Sequence, residues 1–223
     1  EVSRSVRRFV ALILLGVLHG VFLFVGDILL AYAVLGFALL GMRRIRTKWA
    51  LIIAGAVLLV WAGFTLATGL LTSAMEGTEF WDDSLMPTAD PEGARAAYTG
   101  GIASYLSFQL SVYPTVASGI IFGQGPMAFG AFLIGLVVGR ARLLERIAAG
   151  EITTAKLLAW MLPALTVGLG LSAAAAVMLW GPPGSTEPAA ATSENMMGAE
   201  LTAMGMIFLA GPIQATGYVI LAL

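Results

Sequence analysis

The chain contains a single histidine. It stands in Leu15-Gly16-Val17-Leu18-His19-Gly20, within an apolar stretch from Phe9 to Met42 whose only acidic or basic side chains are His19 and Asp27. An imidazole, which ordinarily titrates close to neutral pH, is the natural group for proton transfer or nucleophilic attack. In a soluble core such a histidine is more often a neutral hydrogen-bonded tie. Inside a membrane ionisable groups are rare and costly, and the functional reading gains weight. Asp27 has two readings of its own: the N-cap of a helix beginning Ile28-Leu29-Leu30, or a partner for His19. Eight residues are about 12 Å along one continuous helix and about 80° around it. A direct Nδ1–carboxylate bond therefore requires the chain to fold back at Gly26. Gly16 and Gly20 flank the histidine at roughly 1 kcal/mol each against Ala in a helix, a cost that close packing or a ligand passage would account for. His19 and Asp27 are thus the candidate catalytic residues. Gln124, between two glycines and before Pro126, is a further polar group at membrane depth.

The elements that must position these residues follow from composition. Hydrophobic residues make up 59% of the 223 and charged residues 11%, and the mean hydropathy is +0.91. A soluble domain carries about 25% charged residues, so a bilayer is the environment in which this surface is stable. A span needs about 20 apolar residues, and the stretch from Phe9 to Met42 is too long for one crossing. A break at Gly26-Asp27 gives two short antiparallel spans. A third is expected over 49–72, and a polar, acidic outward loop over about 73–97. Residues 98–140 predict an interfacial or re-entrant helix up to Tyr113, then a fourth span kinked at Pro126. A fifth span covers 154–180, an outward loop about 181–198, and a sixth span 199–223. The expected fold is an all-α polytopic transmembrane helical bundle of about six spans, a single domain over 1–223, with an extra helix before span four. Gly135 and Gly139 form a small-xxx-small pair that reads as helix packing.

Charge placement agrees with six crossings. Arg4, Arg7, Arg8, Arg43, Arg44, Arg46, Lys48, Arg140, Arg142, Arg146 and Lys156 share one side, eleven of the twelve basic residues. The positive-inside rule makes that side, and both chain ends, cytoplasmic. The absence of cysteine excludes disulfides and thiolate chemistry. There is no Walker sequence, no histidine cluster for a metal and no Gly-x-Ser-x-Gly. The expected partners are the lipid bilayer and other membrane subunits or further copies of the chain, and no nucleic acid. The chain begins without Met in a basic segment and stops in an apolar one, and is expected to be part of a longer protein.

Arg7-Arg8-Phe9, then Leu18-His19-Gly20, then Gly26-Asp27-Ile28-Leu29-Leu30-Ala31-Tyr32-Ala33 resemble the YeiB-like family of bacterial membrane proteins. Phe132-Leu133-Ile134-Gly135 through Gly139-Arg140, and Gly211-Pro212 with Gly217-Tyr218-Val219, match further family features in the right order. The resemblance implies a multi-pass protein of the bacterial plasma membrane, with additional spans before and after the region present here. It also implies similarity to transmembrane acyltransferases that use an intramembrane histidine to pass an acyl group from cytosolic acyl-CoA to an acceptor. On that analogy His19 is the base or acyl carrier, Asp27 its support, and acyl-CoA a co-substrate with no tightly bound cofactor. Two other functions compete with this one. In an accessory subunit of a membrane complex His19 would only tie helices together, and in a small-molecule transporter His19 and Asp27 would be protonation sites.

Overall fold

A computed structural model describes residues 2–75, 91–184 and 196–221. Among these residues every regular element is helical: α1 (Val2–Phe22), α2 (Leu29–Gly41), α3 (Thr47–Met75), α4 (Pro91–Thr99), α5 (Ile102–Gly119), a π-helical turn (Ile120–Gln124), α6 (Gly125–Arg140), α7 (Leu143–Ala148), α8 (Thr154–Trp180) and α9 (Met196–Leu221). Five helical segments are long and apolar enough to cross a membrane, at 2–22, 47–75, 102–140, 154–180 and 197–221, and α2 is a shorter apolar helix. The fold is an all-α polytopic helical bundle. The outward loops expected over 73–97 and 181–198 fall largely outside the described residues. Their described parts are the end of α3, α4, Gly181–Gly184 and the start of α9.

Several boundaries differ from those expected. The separate helix before the fourth span is α4, which begins at Pro91, where a missing N–H costs nothing. The helix after it does not stop at Tyr113. It runs without a break from Ile102 to Arg140, 39 residues, with Pro114 inside it. The irregularity sits further on, in the π turn, where the Gly125 N–H reaches back to the carbonyl of Ile120. A π turn inserts a residue and offsets the hydrogen-bond ladder. Pro126, the second residue of α6, then lacks an N–H that the offset ladder does not need.

The chain divides into two compact groups, residues 1–50 with 84–133, and 51–83 with 134–223. In the first, α1 and α2 form a hairpin. Gly36 lies against the ring of Phe9, and Gly16 against the backbone of Leu30, so the helices run antiparallel. The Phe9 and Phe37 rings close the far end with centroids 5.2 Å apart. Tyr113 and Ala117 of α5 pack on Val21, Val25 and Leu30. In the second group α8 and α9 are likewise antiparallel, with Leu165 against Gly217 and Gln214 against Gly168. Gln214 Nε2 donates to the Gly168 carbonyl at 2.7 Å and to Ser172 Oγ at 2.6 Å. Along α3 and α9, Leu66 meets Gly205, Gly69 meets Thr202 and Ser73 meets Gly198. Lipid offers no hydrophobic drive for helix association, so small residues that let backbones touch supply the contact. Gly135 and Gly139 are not among them: beyond each glycine's own helical turn, no atom of the described residues lies within 4 Å of a Cβ built at either.

Candidate functional site

The end of α1 sets the site. The carbonyl of His19 accepts both the Leu23 N–H and the Phe24 N–H, each at 2.9 Å, and the helix stops at Phe22. His19 therefore lies in the last turn of α1, because the turn to α2 begins at Leu23, three residues before Gly26. Residues 23–28 reverse the chain. Gly26 serves this turn by lack of bulk: a Cβ there would stand 2.8 Å from the Phe24 ring.

The reversal meets the condition for pairing, and Asp27 both caps α2 and binds the histidine. Its Oδ1 accepts the Leu29 N–H at 2.8 Å and the Leu30 N–H at 3.3 Å, two of the donors left open at a helix start. Its Oδ2 lies 2.7 Å from His19 Nδ1. The cap acts from one residue before the first-turn boundary, which is within the ordinary uncertainty of helix ends. The Asp27 side chain is 3% exposed, whereas that of His19 is 41% exposed. With Oδ1 already accepting from two backbone donors, a carboxylate at Asp27 makes Nδ1–H the donor in the third bond. With that proton on Nδ1, a neutral imidazole carries its lone pair on Nε2. No group among the described residues hydrogen-bonds to that nitrogen.

The glycines on either side of His19 serve packing. A Cβ at Gly16 would stand 2.6 Å from the Leu30 backbone nitrogen and 3.0 Å from Asp27 Oδ1, and a Cβ at Gly20 would overlap the Tyr113 ring. Three residues of α5 that the sequence reading did not assign to the site brace it. Tyr113 is buried, its hydroxyl 3.5 Å from the Gly16 carbonyl. The Tyr105 hydroxyl reaches the carbonyls of Phe22 and Leu23 at 3.3 and 3.4 Å, the frayed end of α1. Gln109 is fully buried, donates to the Tyr105 hydroxyl at 2.8 Å, and leaves Oε1 without a protein partner. Their spacing of four was the available signal, since 105, 109, 113 and the buried Ala117 lie along one face of a helix. Gln124 lies exposed in the π turn.

Beside the histidine is an open recess of about 450 Å³, lined by Leu15, Leu18, His19, Phe22, Leu23 and Leu29. Its wall is hydrocarbon apart from the imidazole. No group of three or more potential metal ligands occurs among the described residues. A histidine oriented by a buried carboxylate, its second nitrogen without a hydrogen bond among the described residues, can take a proton from a hydroxyl or carry an acyl group. No family model matches the chain, and neither a curated protein nor a solved structure matches it.

Proposed function

We propose that the chain is a transmembrane acyltransferase of the YeiB-like family, with His19 as its base and Asp27 as the group that orients it. The observation carrying this reading is the 2.7 Å bond between the buried Asp27 Oδ2 and His19 Nδ1, on a histidine that lines the recess. An acceptor hydroxyl gives its proton to Nε2 as its oxygen attacks the acyl carbonyl. The bond from that carbonyl to the donor oxygen or sulfur breaks, and the imidazolium returns the proton to the leaving group. Asp27 holds the tautomer and stabilises the imidazolium that forms between these steps. The basic side of the bundle is cytoplasmic in this reading, and the donor is acyl-CoA. His19 lies about 16 Å along α1 from Arg8, in the half of the span away from the basic end.

The same bond also favours a second reading, in which His19 only ties α1 to the turn before α2 within an accessory subunit. His19→Gln separates the two, because the amide can still donate to Asp27 but cannot act as a base. In membrane vesicles supplied with radiolabelled acyl-CoA, label passing to endogenous acceptors should fall at least about 100-fold in His19→Gln, with the melting temperature held near wild type. Transfer kept within a few-fold would favour the structural tie.

A further inference from the structure

The recess beside His19 bears on which acyl group the site takes. Five of its six lining residues are Leu15, Leu18, Phe22, Leu23 and Leu29, and none carries a heteroatom on its side chain. Nδ1 of the sixth, His19, is bonded to the buried Asp27, and the His19 side chain is 41% exposed. A ligand in the recess meets one side chain with heteroatoms, His19, and hydrocarbon side chains elsewhere. A charged acyl group such as a dicarboxylic one would find neither a cation nor a donor in this wall, and burying it unpaired is costly. The volume of about 450 Å³ is that of about fifteen water-sized groups at roughly 30 Å³ each. It falls within the range of roughly 300–1,000 Å³ typical of small-molecule sites. An acetyl group would fill little of it.

We infer that the recess seats the alkyl chain of a long-chain acyl ester or thioester, its carbonyl set against His19 Nε2, so that the group transferred is a fatty acyl group. This rests on the acyl-transfer reading above. The chain's fit comes from shape: membrane lipid is as apolar as the leucines, so a chain arriving from the bilayer gains position rather than affinity. A chain arriving from water as a thioester gains about fourfold per buried methylene as well. The reaction balances as acyl–X plus acceptor–OH giving acyl–O–acceptor plus HX, where X is the thiol sulfur of CoA or the glycerol oxygen of a phospholipid. Both sources present the same chain and carbonyl.

The test uses the chain in nanodiscs with palmitoyl-CoA carrying a diazirine on the alkyl chain. Adducts should concentrate in the peptide covering residues 15–29, be suppressed by palmitoyl-CoA but not by acetyl-CoA, and drop at least tenfold in Leu18→Trp, which fills the recess. Transfer from palmitoyl-CoA should exceed that from acetyl-CoA at least tenfold in kcat/KM, and Leu18→Trp should shift that ratio toward the short chain. A parallel arm with palmitate-labelled phospholipid identifies the donor: label moving from either source supports the inference. Acetyl transferred as well as palmitoyl, with a ratio unmoved by Leu18→Trp, overturns it while acyl transfer stands. Specific adducts with no transfer from any donor overturn the acyl-transfer reading and leave the alkyl-chain site in place. Adducts spread over all lipid-facing helices, insensitive to competitor, overturn the site itself.

Discussion

Asp27 divides its two oxygens between structure and chemistry. Oδ1 holds the start of α2 and Oδ2 holds the His19 ring. Asp27→Asn separates the two roles. The asparagine oxygen can keep the cap, so stability should stay within about 1 kcal/mol of wild type by thermal melting. Its amide would then offer an N–H to Nδ1, moving the ring proton to Nε2 and removing the lone pair that accepts from substrate. Acyl transfer should fall by roughly 10²–10⁴. Full activity in this variant would reduce Asp27 to a cap. Both residues were legible in the sequence as ionisable groups in an apolar stretch, but their contact was not. Sequence spacing gives a separation only along a chosen path. Along a helix, residues 19 and 27 are far apart, whereas a helix that ends at Phe22 brings them to 2.7 Å. Gln109 went unnoticed because one amide among apolar neighbours has no local pattern that marks it as buried.

At the scale of helices, the glycines in contact and those in open space should respond oppositely to alanine. Gly20→Ala would drive a methyl into the buried Tyr113 ring, a cost of about 1–3 kcal/mol. Pairing it with Tyr113→Leu should recover part of the loss in a double-mutant cycle. Gly135→Ala meets nothing within 4 Å and should be neutral or stabilising by up to about 1 kcal/mol, the ordinary helix preference of Ala over Gly. A loss at Gly135 comparable to that at Gly20 would show that its face is covered in the membrane. Gln214→Leu removes the donor shared by the Gly168 carbonyl and Ser172, and should lower stability by about 1 kcal/mol. The spans themselves were legible from apolar length, which depends on composition rather than detail. The misplaced break at Pro114 has a physical origin. A proline is tolerated inside a membrane helix where neighbouring groups satisfy the freed carbonyls, and the sequence does not reveal those neighbours.

For the whole molecule, the proposed crossing number and loop sides rest on charge placement, since six crossings would put eleven of the twelve basic residues on one side. Arg44→Cys and Asp83→Cys, the latter outside the described residues, should label from opposite sides of sealed cells with an impermeant maleimide. Equal labelling from outside would contradict the six-span topology. Fold class was readable because an apolar chain in a bilayer has few alternatives to a helical bundle. The candidate site was less so, since the dyad and its recess arise from packing between segments rather than from a local motif. The central claim, that His19 Nε2 is open and performs the chemistry, can be measured directly because the chain has one histidine. Diethylpyrocarbonate applied to the protein in nanodiscs should add one carbethoxyl group at His19. Loss of acyl transfer should parallel that addition, palmitoyl-CoA should slow it, and hydroxylamine should restore activity. Complete modification of His19 with transfer unchanged would contradict the account.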